Sequence, residues 1–130
     1  MICLDSDCII DFLKGKKEAI NVINKYNEEI ITTEINVFEV LYGIYLKKEV
    51  SEKQEYIAKE FLNSIIKFSF DKKCGEISAK LLSSLTKKGE AINQNDCFIA
   101  SIMIKNNCNK IITNNVKHFS RIKEIKVISY

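Results

Sequence analysis

Three acidic residues occupy settings that do not suit a lone carboxylate. Asp5 ends the short apolar run Ile2-Cys3-Leu4. Glu39 is the only charge in residues 35–46, which read Ile-Asn-Val-Phe-Glu-Val-Leu-Tyr-Gly-Ile-Tyr-Leu. Asp96 heads Cys97-Phe98-Ile99-Ala100-Ser101-Ile102-Met103-Ile104. Burying an unpaired carboxylate costs several kcal/mol, so each needs a cation, a proton or a water-filled cleft. Each also has a plainer reading. Asp5 can cap a helix, Asp96 can be a first-turn acid favoured by the helix dipole, and Glu39 can reach solvent at a helix edge. The conjunction is more specific. If the three converge, carboxylates about 4–5 Å apart repel by roughly 3–4 kcal/mol at an effective dielectric near 20. Such a group calls for a divalent cation, and oxygen ligands with water favour Mg2+ or Mn2+ over zinc.

Placing these residues requires a scaffold. Ile2 to Leu4 reads as a buried strand, and Asp5-Ser6-Asp7 as a turn and N-cap leading into a helix through Leu13. Residues 18–26 have helical spacing. Glu29 to Thr32 reads as a second strand, followed by a helix capped at Thr32, Thr33 or Glu34 and running to about Lys48. A helix follows Ser51, with Tyr56, Ile57, Phe61, Leu62 and Ile65 on one face. Ile66 to Phe70 reads as a third strand, and Asp71 starts a helix to about Lys87. Asn95 or Asp96 opens an almost wholly apolar, hence central, helix to about Lys105. Lys110 to Thr113 and Lys126 to Ser129 complete five strands. Short apolar strands alternating with helices predict an α/β fold with a mainly parallel sheet covered on both faces. Ligands in such sheets bind at the carboxyl ends of the strands. Asp5 and the segment Thr113-Asn114-Asn115 fall there, although Asn115 also suits a simple loop amide.

Composition removes other chemistries. The chain has 130 residues, with 20 Lys and Arg against 17 Asp and Glu, a net charge of +3 that decides little. Length alone predicts one domain over residues 1–130. Four scattered Gly exclude a Gly-rich phosphate cradle, and one His excludes two-histidine ribonuclease chemistry and His-rich zinc sites. Cys3, Cys8, Cys74, Cys97 and Cys108 form no Cys-x-x-Cys pair, so they read as buried free thiols of a reducing, cytoplasmic setting. The N-terminal residues lack the basic flank and apolar core of a signal peptide, and no apolar run approaches a membrane span.

Four blocks, in order, resemble the PIN-domain ribonucleases, and most of all the VapC-type toxins of toxin–antitoxin pairs. They are Leu4-Asp5-Ser6-Asp7 with Ile9-Ile10-Asp11; Glu39-Val40-Leu41-Tyr42-Gly43; Asn95-Asp96-Cys97-Phe98-Ile99-Ala100; and Thr113-Asn114-Asn115-Val116-Lys117-His118-Phe119. The resemblance covers essentially the whole chain. It implies a PIN-like three-layer domain with a central five-stranded sheet, and metal-dependent hydrolysis of RNA phosphodiesters. By position, Asp5, Glu39 and Asp96 match the family's metal-holding acids, with Asp5 and Asp96 as direct ligands and Glu39 acting through water. Thr113 matches a hydroxyl beside the site and Asn115 a position that is Asp or Asn across the family; both are expected to bind waters or phosphate oxygens. Asp7 departs from the more usual Asn and is read either as a further carboxylate of the site or, by preference, as a cap of the first helix. His118 is read as a surface or supporting group.

A polyanionic substrate needs a basic rim, for which the candidates are Lys14, Lys16 and Lys17, then Lys87 and Lys88, then Lys117 and Arg121. The helix at 35–46 is apolar around nearly its whole circumference. Residues 35–66 are therefore expected to form a homodimer or partner surface, in the region where the family's antitoxins bind. Two alternatives remain. Ile2-Cys3-Leu4-Asp5-Ser6-Asp7 also resembles the Asp-x-Asp motif of haloacid-dehalogenase-like phosphatases, with Asp5 as nucleophile. That reading gives Glu39 no role and lacks the later acidic motif. The other alternative is a catalytically silent PIN-like module that binds RNA or a partner.

Overall fold

The computed structural model describes residues 1–130. The chain runs β1 (Ile2–Leu4), α1 (Ser6–Leu13), α2 (Lys17–Lys25), β2 (Ile30–Thr33), α3 (Glu34–Tyr45), α4 (Glu52–Ser64), β3 (Ile66–Phe68), α5 (Cys74–Lys87), α6 (Gln94–Lys105), β4 (Lys110–Ile112), α7 (Val116–Phe119) and β5 (Lys126–Ile128). The five strands form one sheet in the order β3-β2-β1-β4-β5, and every pairing is parallel.

Strand alternation divides the core into two layers. Cys3, Ile31 and Ile111 face the layer built with Leu85, Ile99, Ala100, Met103 and Phe119. Ile2, Leu4 and Ile112 face the layer built with Ile9, Val22, Ile23, Val40 and Leu62. Helices α1 to α4 thus cover one side of the sheet and α5 to α7 the other. The apolar character of α6 is explained by this packing, since seven of its twelve residues are buried. All five cysteines are buried and free, and no helix is long and apolar enough to cross a membrane.

Several local expectations are corrected. Of the two acids offered as the cap of α1, Asp5 takes that place, its side chain accepting from Ser6 N, and Asp7 does not. Helix α3 ends at Tyr45, short of Lys48. Helix α5 starts at Cys74 rather than Asp71, because Lys73 has a left-handed backbone (φ 73°) that cannot continue a helix. The cap of α6 is Asn93 rather than Asn95 or Asp96; it accepts from Asn95 N, and Asp96 is the first-turn acid expected. The apolar face of α4 divides, with Ala58 and Leu62 buried and Tyr56 and Ile57 left exposed within the 35–66 region expected to be a partner surface. The four-residue α7 is too short to carry a periodic signal in the sequence.

Candidate functional site

Because the strands are parallel, β1, β2 and β4 all end on the same side of the sheet. Asp5 follows β1 directly, Thr33 ends β2 and opens α3, and Thr113 follows β4. Helix α6 presents its N-terminal turn, with Asp96, to the same place. Four chain segments therefore converge at residues 5–7, 33–39, 95–96 and 113–118.

Asp5 is the best-buried acid of the group, at 5% exposure. Its Oδ1 accepts from Ser6 N and Asn36 Nδ2, each at 2.9 Å, and its Oδ2 accepts from Thr113 Oγ1 at 2.7 Å. Burial pushes its carboxyl up to about 7; the Thr113 hydrogen bond opposes that rise, and the charges of Asp7 and Asp96 add to it. Asp7 is also raised by burial, against hydrogen bonds from Asn114 N and Cys8 N. It fastens the start of α1 to the loop after β4, a role beyond the cap expected of it.

Asp96 is held through a single oxygen. Asn115 Nδ2 donates to its Oδ2 at 2.8 Å, and His118 Nδ1 lies 2.6 Å from the same atom. Glu39 is half-buried. Ser6 Oγ donates to its Oε1 at 2.6 Å, and Asn95 Nδ2 approaches Oε2 at 3.5 Å.

Asp5, Glu39 and Asp96 are thus brought to one site, with Thr113 and Asn115 beside them. The hydroxyl of Thr113 and the amide nitrogen of Asn115 are directed at Asp5 and Asp96, instead of outward to waters or phosphate. Two further side chains belong here that sequence reasoning did not place. His118 is an Asp96 partner. Asn36 is completely buried and bridges Asp5 and Ser6. The signal for Asn36 was its position three residues after Thr33, the spacing of a capping box, which the structure confirms.

The basic candidates separate. The Ser78–Ser101 bond and the Lys105–Asp71 contact run α5 antiparallel to α6, which brings the Lys87–Lys88 end of α5 toward the start of α6. Arg121 donates to Ala91 O at 2.9 Å, tying the segment after α7 to that loop. Lys117 is exposed on α7, two residues from Asn115. Lys14, Lys16 and Lys17 instead follow the far end of α1, about 12 Å along its axis from Asp5. Lys16 is paired with Asp11 at 2.8 Å.

The site suits a hard divalent cation. The groups that could ligate one are the carboxylate oxygens of Asp5, Glu39 and Asp96, since the Thr113 hydroxyl and the Asn115 amide nitrogen are turned to Asp5 and Asp96. No Lys or Arg forms an ion pair with Asp5, Asp7, Glu39 or Asp96; the one cationic candidate is His118 against Asp96. No three His, Cys, Asp or Glu side chains cluster tightly enough to ligate one ion unaided.

Comparison with known proteins agrees with the fold and extends it. Residues 2–125 match the PIN domain. Ribonuclease VapC2 of Rickettsia felis is 32% identical over 99 residues, 76% of this chain and 72% of that protein. The crystal structure of VapBC2 from Rickettsia felis bound to a promoter DNA fragment superposes with a TM-score of 0.87 at 28% identity, covering 100% of this chain and 99% of that one. VapBC-1 of nontypeable Haemophilus influenzae shares the fold, with a TM-score of 0.82 at 23% identity over 99% of this chain and 98% of that one.

Proposed function

The chain belongs to the PIN-domain family, and on that premise we propose that it is a metal-dependent endoribonuclease, the toxin of a toxin–antitoxin pair, acting as one nuclease domain over residues 1–130. The observation that carries this reading is the convergence of Asp5, Glu39 and Asp96 at the strand ends with no Lys or Arg partner. The names of the relatives, ribonuclease VapC2 and VapBC2, support the same class. The phosphatase alternative falls with the family assignment.

Asp5 and Asp96 would hold Mg2+ or Mn2+ directly, and Glu39 would reach it through water. The chemistry supplied there is activation of water and neutralisation of charge building on the phosphate. Each direct ligand has one oxygen more heavily engaged than the other. Asp5 Oδ1 takes two donors and Oδ2 one, while Asp96 Oδ2 takes both Asn115 and His118. Thr113, Asn115 and His118 thereby set the orientation of the acids. Glu39, as the least buried acid of the three, orients water or accepts its proton. Lys87, Lys88, Lys117 and Arg121 draw the RNA backbone to the mouth. Lys14, Lys16 and Lys17 act only on a strand extending past it.

Partners follow from the apolar surface. A groove of about 310 Å³ between α1, α3 and α4 is lined by Ile10, Leu13, Val40, Ile44 and Ile57, with Lys14 and Lys47 at its rim. It suits an apolar segment of the antitoxin. Phe38 and Tyr42 stack at 5.5 Å on the open side of α3, with Tyr45 and Leu46 beyond them. A second copy of the chain covers that face, giving a homodimer through residues 35–66. Five free thiols suit the cytoplasm.

The test is cleavage of structured and single-stranded RNA with Mg2+ or Mn2+, comparing wild type with Asp5→Asn and Asp96→Asn. Cation-dependent cleavage lost in both variants supports the reading. Cleavage that persists in both overturns it.

A further inference from the structure

Asn36 is 0% exposed, and every polar valence of its side chain is engaged. Its Oδ1 accepts from Thr33 Oγ1 at 2.7 Å and from Thr33 N at 3.3 Å. Its Nδ2 donates to Asp5 Oδ1 and to Ser6 Oγ, each at 2.9 Å. Thr33, at the end of β2, therefore fixes the amide from behind and aims both hydrogens forward. That has a consequence at Ser6. A hydroxyl carries one proton and can also accept. Because Ser6 Oγ receives a hydrogen from Asn36, its own proton is directed to Glu39 Oε1, 2.6 Å away.

We propose that Asn36 is a positioning residue that couples Asp5 to Glu39: its amide holds the Asp5 carboxylate and polarises Ser6 toward Glu39. The inference rests on the nuclease reading above. Asn36 touches neither substrate nor cation; it acts through Asp5 and through Ser6. Ser6 touches both acids, through its N–H to Asp5 and its hydroxyl to Glu39, and Asn36 braces both ends of that bridge by donating to Asp5 Oδ1 and to Ser6 Oγ. The side chain three residues before Glu39 on α3 reaches Asp5, 31 positions earlier in the chain. In a buried network, a donor supplied by a side chain locked at its other end costs no reordering when the site is used.

The test uses Asn36→Leu, which keeps the branched heavy-atom skeleton and removes both donors together with the acceptor for Thr33, and Ser6→Ala, which removes the hydroxyl bridge to Glu39. Three quantities are read in the full chain: unfolding temperature, Mn2+ affinity by calorimetry or electron paramagnetic resonance, and kcat and KM for RNA. Asn36→Leu is expected to weaken Mn2+ binding about 10- to 100-fold, the range for losing a partner that orients a metal ligand. Ser6→Ala is expected to hold Mn2+ affinity within about threefold while lowering kcat with KM unchanged. The double variant is expected to lower kcat no further than Asn36→Leu, because the two act along one path. A purely structural Asn36 predicts lower stability without that non-additivity. Folded Asn36→Leu with wild-type Mn2+ affinity overturns the proposal, as do kcat losses that multiply. If Asn36→Leu does not fold, Ser6→Ala with unchanged kcat overturns the relay, and a kcat loss at fixed KM and Mn2+ affinity supports it. Wild type that binds no Mn2+ and cuts no RNA overturns both this proposal and the nuclease reading; the other negative results overturn this proposal alone.

Discussion

His118 Nδ1 and Asp96 Oδ2 lie 2.6 Å apart, and Asn115 Nδ2 donates to the same oxygen at 2.8 Å. The only imidazole of the chain thus serves a carboxylate of the candidate centre, leaving Oδ1 as the oxygen of Asp96 without a protein donor.

Removing that imidazole should loosen the ligand it orients. His118→Ala is expected to weaken Mn2+ binding about 10-fold or more. His118→Asn offers a nitrogen in nearly the place of Nδ1 and is expected to recover most of the loss. Calorimetric titration of the three proteins checks this; equal affinities would show that Asn115 suffices.

Asp5→Asn is expected to lower RNA cleavage by about 100-fold or more, because it removes a charged ligand. The fold should survive, since an amide oxygen in the Oδ1 place still accepts from Ser6 N and Asn36 Nδ2, while the new amide nitrogen can donate to the Thr113 hydroxyl oxygen. Gel assays on labelled RNA, with circular dichroism as the control for folding, measure both halves.

The raised Asp5 carboxyl gives stability an unusual slope. Below about pH 4 Asp5 is protonated in both folded and unfolded chains. Between there and about 7 the folded protein keeps the proton that the unfolded chain releases. The unfolded state binds fewer protons, so stability falls as pH rises through that window. At about 1.4 kcal/mol per unit, the upper bound is roughly 4 kcal/mol. Asp7 contributes with the same sign. Asp11, Glu28, Asp71 and Glu76 are held low by Lys partners and lose their contribution only at more acid pH. Metal-free protein should therefore resist urea better at pH 5.5 than at pH 7.5, and Asp5→Asn should remove most of the difference. A wild-type profile that is flat or rises with pH would contradict the burial of this acid.

Much of this was legible in the residues. Asp5, Glu39 and Asp96 stood out because apolar neighbours make a lone charge costly, and the fold answers that cost with donors from Ser6, Asn36, Thr113 and Asn115. Strand positions were readable to within a residue or two, because all five are short apolar runs between polar breaks. His118 and Asn36 were not readable as site residues. A single His followed by an apolar Phe gives no sign of what it faces, and Asn36 first reads as part of a cap. Their roles come from the parallel pairing of β1 with β2 and β4, which one-dimensional periodicity does not report. The apolar face expected of α4 divides in the structure: Leu62 is buried, while Tyr56 and Ile57 face outward near the exposed aromatics of α3.

A latch away from the acids offers a fourth test. Tyr130 Oη donates to Asp11 Oδ2 at 2.8 Å, and Lys16 Nζ meets Asp11 Oδ1 at the same distance. Tyr130→Phe is expected to cost about 1 kcal/mol, the lower range for a partly exposed bond to a charged acceptor. Cleavage should be unchanged, because Asp11 lies one helical turn beyond Asp7. Urea unfolding and the RNA assay together decide it.

The order β3-β2-β1-β4-β5 has a consequence for the cell that makes this protein. The first strand synthesised is the middle one, and its neighbour on the Thr113 side is made more than 100 residues later. A ribosome-bound chain therefore carries Asp5 and Glu39 long before Asp96, Thr113 and Asn115 exist to complete the site. Contacts of such high sequence separation also form late in folding. A chain cut before α6 lacks Asp96, Thr113 and Asn115 together, and the candidate centre is assembled only once β4 pairs with β1.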